Sequence, residues 1–468
     1  MIFNSIIFLI FFSIFFFLFY YLNGNGRKIL LFIGSCLFYM WFVPAYVLIL
    51  FLTILIDYYA AIKIEDDHSQ KAKKRHLLFG IVNTCLVLFV FKYYNFFIEN
   101  FNALGIKQLP YWDIILPIGL SFHTFQSLSY VIEVYRGNIK AERSILVYSN
   151  FVMMFPQLVA GPIERANNLL PQLKNCDHKI TYSDFAVGFH RFFWGLFKKV
   201  VVADITGIFV DATYNNYNHQ PGVMLFTGTI LFSIQVYCDF SGYSDMAIGI
   251  ARMLGFKFKE NFRIPFFSKD ITEFWRRWHI SLSSWLRDYV YISLGGSRLG
   301  KLLTYRNLMI TMIICGIWHG ATWNYVIFGA IQGTYLSVEK LVGLPKLRPK
   351  HILAKGLRVM YVFVFISFSF IFFRAVTFDR AMSIIKSIFL NFNAKGFRLL
   401  DTNIVSTIVI GISILMIFDY FVFRNLSFDQ IYERKNGSKL LFAFTTFLIF
   451  LIIFFGNSNG SQFIYFQF

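Results

Sequence analysis

The most constraining feature of the sequence is an apolar run from Thr304 to Trp323 that contains a histidine, His319, near its end. A second, largely apolar run from Asn324 to Val338 follows it directly. Apolar runs of this kind are typical of helices embedded in a membrane, so we expect His319 to lie where two such segments meet. Because an ionisable side chain is costly at membrane depth, this histidine is a hypothesis for a functional site.

The composition of the whole chain favours a membrane protein. It is 57% hydrophobic and 15% charged, whereas soluble domains are roughly 45–50% apolar and about 25% charged. The net charge of +19 indicates basic loops on the cytoplasmic side, and no basic run stands apart in a way that predicts nucleic-acid binding. The five cysteines lack the spacing of a disulfide framework or a metal site. We predict an all-α, polytopic integral membrane protein.

Apolar segments alternate with basic loops along the entire chain. This pattern predicts roughly ten to twelve transmembrane helices together with re-entrant and interfacial helices, all in a single domain that covers residues 1–468. Residues 456–468 are predicted to form an extracytoplasmic tail. The outer loop predicted near residues 375–402 contains four basic residues, which the orientation rule does not favour, so the topology of that loop stays open.

Two apolar segments do not have the pattern of simple spans. Residues 145–163 contain two prolines and a glycine, and an interruption of this kind is typical of a re-entrant segment covered by other parts of the protein. Residues 185–210 contain Lys198 and Lys199. We interpret this lysine pair as the end of the cytoplasmic part, with the membrane part beginning near Val200.

The longest stretch without membrane character, residues 252–303, is predicted to be a cytoplasmic interfacial region. Asp270 and Glu273 have the spacing of a helix-capping pair, and the residues after them separate into two faces of a continuous helix. The aromatic face consists of Trp275, Trp278, His279, Leu282, Trp285, Leu286 and Tyr289, and the polar face of Arg276, Arg277, Ser283, Ser284, Arg287 and Asp288. This pattern is typical of a helix at a membrane surface, and it predicts that His279 points inwards.

Two histidines directed into an apolar interior indicate either a metal site or acid–base chemistry. The metal site is disfavoured because no cysteine or third histidine groups with His279 and His319, and we predict no bound metal. An imidazole with a pKa of about 6.5 accepts a proton readily at neutral pH. The alternative for a histidine of this kind is a structural role in which it bonds a backbone carbonyl.

Two further segments carry polar groups in apolar surroundings. Residues 237–245 contain Asp239, Tyr243 and Asp245, which would form a proton relay, support the histidines or pack helices together, and support and packing are favoured over direct chemistry. In the second segment, residues 463–468 follow a polar linker and are almost entirely apolar or aromatic. They are either an interfacial anchor or a peptide that returns into the protein and presents the hydroxyl of Tyr465.

Four stretches of the chain resemble the membrane-bound O-acyltransferase family. They are residues 155–163, residues 237–245, residues 274–288 with 295–298, and residues 316–324. The resemblance is to the bacterial branch that contains the membrane subunits of alginate and peptidoglycan O-acetyltransferases and the D-alanyl transfer protein of teichoic acids. The closing hexapeptide also resembles the terminal motif of the acetyltransferase subunits. The motifs do not distinguish between polysaccharide acceptors.

The resemblance implies a fold, a reaction and a set of functional residues. The fold would be a ring of helices around a tunnel in the bacterial cytoplasmic membrane. His319 corresponds to the active-site histidine of the family, His279 to a second histidine of this branch, and Tyr465 to a proposed transient acyl carrier. Residues expected to support the site or line the tunnel are Asp239, Tyr243, Asp245, Trp275, Trp278, Ser281, Trp318 and Asn324.

The implied activity is the transfer of an acetyl group across the membrane for O-acetylation of an extracytoplasmic polysaccharide, either peptidoglycan or an alginate-like polymer. Acetyl-CoA would be the donor substrate, and no cofactor would be bound. Arg276, Arg277 and Arg287 suit the phosphates of this donor, and an esterase-like extracytoplasmic partner protein would pass the acetyl group onward. The alternatives are a transporter of a glycan or lipid-linked sugar that uses the histidines as a proton relay, and a scaffold in which both histidines are dispensable.

Overall fold

The computed structural model describes residues 1–159, 161–347, 351–394, 402–420, 426–457 and 463–464. All regular elements within these ranges are helical, which confirms the all-α prediction. The chain divides into two compact units. One comprises Met1–Phe192 with Ala247–Lys259, and the other comprises Phe193–Met246 with Glu260–Phe468. The single domain predicted for residues 1–468 stays a prediction.

The first unit is built from the amino-terminal helices. They are α1 (Ile6–Tyr21), α2 (Gly24–Met40), α3 (Tyr46–Asp66), α4 (Gln70–Leu88), α5 (Tyr94–Ala103), α6 (Leu120–Tyr135), α7 (Ile145–Met153), α8 (Phe155–Leu158), α9 (Ala166–Lys174) and most of α10 (Tyr182–Phe197). The interrupted segment 145–163 forms α7 and α8, separated at Met154 by an extended backbone with ψ 121°. Helix α6 begins at Leu120, directly after Gly119, which adopts a left-handed φ of 75°.

The second unit contains the candidate functional residues. Its helices are α11 (Asp204–Asn215), most of α12 (Gly222–Met253), α13 (Ile271–Arg277), α14 (Ile280–Leu286), α15 (Lys301–His319), α16 (Trp323–Val342), α17 (Ile352–Arg374), α18 (Phe378–Leu390), α19 (Thr402–Phe418), α20 (Phe428–Tyr432) and α21 (Gly437–Phe455). A π-helical segment, Lys198–Ala203, joins α10 to α11.

Five of the helices in the described part of the chain are long and apolar enough to cross a membrane. They are Tyr46–Asp66, Gln70–Ala103, Gly222–Met253, Ile352–Arg374 and Gly437–Phe455. The range Gln70–Ala103 consists of α4, the π-helical segment Phe89–Tyr93 and α5. Two shorter apolar helices are Ile6–Tyr21 and Thr402–Phe418. The ten to twelve spans predicted from the sequence stay a prediction.

Helices α15 and α16 form a close-packed hairpin around His319. Helix α15 ends at His319, so this histidine lies at the junction of two apolar segments, as the sequence predicts. A Cβ atom at Gly316 would overlap the carbonyl oxygen of Tyr325, and one at Gly320 would overlap the Tyr325 ring. The two glycines are therefore required for the hairpin to close and to hold His319 at its turn.

The interfacial region does not contain the continuous helix that the sequence predicts. Asp270 caps α13 through the backbone N–H of Glu273 at 2.7 Å, as expected. The helix then breaks at His279, whose φ of 42° is left-handed, and resumes as α14. The predicted faces are nevertheless correct, because Trp275, Trp278 and His279 are buried while Arg276 is exposed.

Candidate active site

The two predicted histidines lie in one aromatic cluster of the second unit. His279 is fully buried, and His319 is 3% exposed. The ring of Trp318 contacts both, with its centroid 5.8 Å from the His279 ring and 5.0 Å from the His319 ring. Phe240 covers His279 at 4.6 Å, and Phe373 covers His319 at 5.1 Å. The structure thus brings together two imidazoles that are 40 residues apart in the sequence (319 − 279).

The backbone around His279 is held by Asn261, a residue that the sequence analysis missed. The carbonyl oxygen of Asn261 accepts the N–H of Ile280 at 2.8 Å. Its side-chain Oδ1 accepts the N–H and the hydroxyl of Ser281 at 3.3 and 2.8 Å, and its Nδ2 donates to the hydroxyl of Ser244 at 3.0 Å. These bonds satisfy backbone groups that a continuous helix would use internally, and they explain why the predicted helix breaks at His279.

Burial also sets the protonation state of His279. The surrounding aromatic side chains and the nearby His319 imidazole hold the pKa of His279 well below its usual value near 6.5, and desolvation is the larger cause. His279 is therefore neutral at physiological pH. A neutral imidazole offers one N–H donor and one acceptor nitrogen, so His279 is suited to hydrogen bonding or proton transfer.

Helix α12 carries the predicted carboxylates, and they pair with the lysines that the sequence analysis placed at a membrane edge. Both lysine side chains are buried, and the start of the membrane part near Val200 stays a prediction. Lys198 forms an ion pair with Asp245 and donates to the hydroxyl of Ser241 at 2.9 Å. Two adjacent lysines can be buried here because carboxylates of the same unit form ion pairs with them. The composition of the segment that contains the lysines does not reveal these partners.

Lys199 forms the centre of a second buried ion cluster. Its Nζ atom lies 2.8 Å from Oδ1 of Asp204 and 2.7 Å from Oδ1 of Asp239. The other oxygen of Asp239, Oδ2, accepts the backbone N–H of Ile464 at 2.6 Å. Asp239 therefore connects a buried lysine to the carboxyl-terminal segment of the chain.

The carboxyl-terminal segment returns to α12. Phe463 is buried, and its ring centroid lies 4.4 Å from that of Tyr243 and 5.8 Å from that of Phe240. Phe240 in turn contacts His279, so this segment docks one side chain away from a candidate catalytic histidine. The geometry agrees with a peptide that returns into the protein. Tyr465 itself lies outside the described residues.

The remaining support residues join the helices around the histidines. Trp275 donates its indole N–H to Gln332 at 3.1 Å, and Gln332 donates to the hydroxyl of Ser369 at 2.8 Å. Asn324 donates to the carbonyl of Ala375 at 2.6 Å. Trp278, whose ring packs 5.6 Å from Phe370, is also buried in this unit. Gln332 is fully buried, and the sequence analysis did not identify it. The signal that could have identified it is a glutamine within an apolar helix.

The three arginines predicted to bind the donor are more exposed than the histidine cluster. Arg276 and Arg287 are exposed, and Arg277 is partly exposed. Arg277 pairs with Glu273 at 2.7 Å, and Arg287 pairs with Asp288 at 2.8 Å. In the described part of the chain, no group of three or more His, Cys, Asp or Glu side chains has the arrangement of a metal site.

A helical membrane protein with paired histidines buried beside its spanning helices is a candidate membrane enzyme, and comparison with known proteins gives its class. Residues 35–379 match the model of the membrane-bound O-acyltransferase (MBOAT) family. This match covers well over half of the chain. The protein therefore belongs to the membrane-bound O-acyltransferase family, and it is a multi-pass membrane acyltransferase.

Several curated relatives resemble the chain over most of its length. A probable alginate O-acetylase AlgI of Pseudomonas syringae pv. tomato is 43% identical over 74% of this chain and 67% of its own length. The corresponding protein of Azotobacter vinelandii is 39% identical over 83% of this chain and 78% of its own length. A peptidoglycan O-acetyltransferase of Helicobacter pylori is 32% identical over 94% of this chain and 91% of its own length.

Proposed function

We propose that the protein is an O-acetyltransferase that moves acetyl groups from cytoplasmic acetyl-CoA across the bacterial cytoplasmic membrane. The acetyl group would be destined for an extracytoplasmic polysaccharide, either peptidoglycan or an alginate-like polymer. The names of the relatives support acetyl as the transferred group and these two polymers as the candidate acceptors. Membership of an acyltransferase family favours this activity over the transport of a glycan.

The observation that carries the proposal is the docking of the carboxyl-terminal segment beside the histidine pair. Phe463 packs against Phe240, whose ring contacts His279. Tyr465 follows two residues after Phe463 in the sequence, and in this proposal its phenol hydroxyl would reach the two buried imidazoles. A phenol with a free pKa of about 10 needs a base to become a nucleophile at neutral pH.

In the proposed reaction, His319 is the general base. Its imidazole takes the phenolic proton of Tyr465 while the phenol oxygen forms an ester bond to the acetyl carbon of acetyl-CoA. The thioester C–S bond breaks, and CoA leaves as a thiol after it receives the proton. The buried, neutral His279 or a backbone N–H would donate a hydrogen bond to the tetrahedral oxyanion.

The donor and the acceptor would reach the site from opposite sides of the membrane. Arg276, Arg277 and Arg287 would attract the phosphates of acetyl-CoA at the cytoplasmic surface, because guanidinium groups bind phosphate through paired hydrogen bonds. A tunnel enclosed by the helices would lead from there to the histidines. An esterase-like partner protein outside the membrane would accept the acetyl group from Tyr465 onto its own hydroxyl and pass it to the polysaccharide.

The proposal is tested with purified protein and acetyl-CoA labelled in the acetyl group. The measurement is label transfer to the protein and release of free CoA, followed by label transfer to polysaccharide in membranes that contain the partner. His319→Gln and Tyr465→Phe are expected to lower the rate by about 100-fold or more. Matched controls are His68→Gln and Tyr182→Phe, since both residues are exposed. Full activity of either site variant would refute this mechanism.

A further inference from the structure

We propose that Asp239 is a positioning residue that holds the carboxyl-terminal segment in the site by accepting the backbone N–H of Ile464, and that Lys199 orients its carboxylate for this task. We call the group formed by Lys199, Asp204, Asp239 and the N–H of Ile464 the tail latch. The hydrogen bond between Ile464 and Asp239 belongs to the fold and does not depend on the proposed function. The effect of this hydrogen bond on catalysis rests on the proposed function, in which Tyr465 carries the acetyl group.

The geometry assigns a separate partner to each oxygen of Asp239. Oδ1 lies 2.7 Å from Nζ of Lys199, and Oδ2 accepts the Ile464 N–H at 2.6 Å. The side chains of Lys199 and Asp239 are 1% and 4% exposed. A carboxylate fixed by a lysine on one side has little freedom to turn, so its second oxygen presents a fixed acceptor to the tail.

The carboxylates of the tail latch are buried groups that need hydrogen-bond donors. One lysine, Lys199, faces both of them, those of Asp204 and Asp239. Buried charge is tolerated only where hydrogen bonds compensate it. The Ile464 N–H supplies a donor to Asp239.

The tail latch binds the main chain of the carboxyl-terminal segment, while the aromatic side chain of Phe463 orients that segment. Phe463 lies against Tyr243 and Phe240, and the next residue, Ile464, provides the N–H. At the start of the tail, the N–H of Asn457 donates to the carbonyl of Val200 at 3.1 Å. Tyr465 immediately follows Ile464 in the sequence, so in the proposed function a fixed Ile464 would keep the acyl carrier close to the histidines.

The substitution Asp239→Asn tests the latch with almost no change in shape. The amide oxygen of asparagine is expected to face the Lys199 ammonium, which leaves the amide NH₂ opposite the Ile464 N–H, so that two donors meet. Hydrogen–deuterium exchange, followed by mass spectrometry of the peptide that spans residues 456–468, measures the docking of the tail. We expect the exchange of this peptide to become about tenfold faster or more, with α12 and α21 unchanged.

Asp211→Asn is the matched control, because Asp211 forms an ion pair with Arg374 at 2.7 Å near the surface, away from the tail contacts. It removes the same charge and is expected to leave the exchange of the tail as in the wild type. Wild-type exchange of the tail in Asp239→Asn would overturn the proposal. An equal increase in the exchange of α12 and of the tail in Asp239→Asn would also overturn the proposal, because it would show that Asp239 has a general structural role.

A second variant removes the donor without altering the ion cluster. Ile464→Pro has no backbone N–H, and both it and Asp239→Asn are expected to lower kcat for acetyl transfer about tenfold, with KM for acetyl-CoA unchanged. Since both act on one hydrogen bond, the double variant should lose no more than either single variant. Losses that multiply in the double variant, or a change in KM alone, would refute the latch.

The exchange and kinetic measurements separate this proposal from the proposed function. Exchange is measured without substrate, so a protected tail in a wild-type protein that does not transfer acetyl would refute the function and support the latch. Normal acetyl transfer by Asp239→Asn with an unprotected tail would refute the positioning role and leave the function standing.

Discussion

The side-chain oxygen of Asn261 accepts hydrogen bonds from both the backbone N–H and the hydroxyl of Ser281, at 3.3 and 2.8 Å. Ser281 is the second residue after His279, so these bonds fix the chain at the point where the helix breaks. The break is what turns the imidazole into the aromatic cluster. The conformation of a candidate catalytic residue thus depends on a side chain 18 residues earlier (279 − 261).

The first prediction concerns this asparagine. Asn261→Leu removes the side-chain hydrogen bonds and leaves buried partners unsatisfied, which is expected to lower the free energy of unfolding by about 2–4 kcal/mol. Thermal unfolding of purified protein in detergent measures the change. Asn83→Ala, which removes a bond from Asn83 to the carbonyl of Phe79 in an exposed place, should change stability by less than about 0.5 kcal/mol. Equal melting temperatures would contradict the assigned role.

A second prediction follows from the left-handed backbone of His279, whose φ is 42°. His279→Asn and His279→Val both remove the imidazole, but asparagine tolerates this conformation whereas a β-branched residue does not. We expect the valine variant to be less stable than the asparagine variant by about 1–2 kcal/mol. Melting temperatures of the two variants under identical conditions provide the comparison. A valine variant as stable as the asparagine variant would show that the backbone relaxes without cost.

Stability should also depend on pH through His279. Burial and the His319 imidazole hold the pKa of His279 well below its usual range in the folded protein, whereas in the unfolded chain it is about 6.5. Below about pH 6.5 the unfolded state therefore binds a proton that the folded state does not, so stability falls as the pH decreases, by up to about 1.4 kcal/mol per pH unit.

This dependence is measured as the free energy or midpoint of unfolding between about pH 5 and pH 7.5. His279→Gln should reduce the slope, since glutamine does not titrate, and His68→Gln at an exposed position should preserve it. An identical slope in wild type and His279→Gln would mean that other groups determine the acid sensitivity.

The hairpin of α15 and α16 gives a fourth prediction. Gly316→Ala places a methyl group against the Tyr325 carbonyl, and such overpacking is expected to cost about 1–3 kcal/mol and to move His319. Gly356→Ala lies in α17, where nothing is within 4 Å of the new Cβ, and it should stabilise the helix by roughly 0.5–1 kcal/mol. Opposite shifts in melting temperature are expected, and a neutral Gly316→Ala would contradict the close packing.

The fifth prediction addresses donor binding at the surface. Arg276→Gln combined with Arg287→Gln is expected to raise KM for acetyl-CoA about three- to tenfold with little change in kcat, because two phosphate contacts are lost. The difference should shrink at high salt, since exposed charges are screened. Arg434→Gln, at another exposed position, is the control. An unchanged KM for acetyl-CoA would mean that the phosphates of the donor do not bind at these two arginines.

Much of the fold follows from local patterns in the sequence. Apolar runs predict α15 and α16, the two helices that meet at His319. His319 is at the predicted junction, and the aromatic face that contains Trp275 and His279 is buried. These features depend on residues that are close together in the chain, so periodicity and composition are sufficient to find them.

The arrangement of the site depends on partners that are far apart in the sequence. The break at His279 requires Asn261, the burial of Lys199 requires Asp239, and the docking of the tail joins Asp239 to Ile464 across 225 residues. Read locally, a lysine pair in an apolar run indicates a membrane edge, and only the presence of compensating carboxylates makes its burial favourable. The sequence by itself therefore determined the helices and the candidate histidines, whereas the tertiary structure decided which charges and backbone groups meet around them, because burying a polar group requires a partner in space.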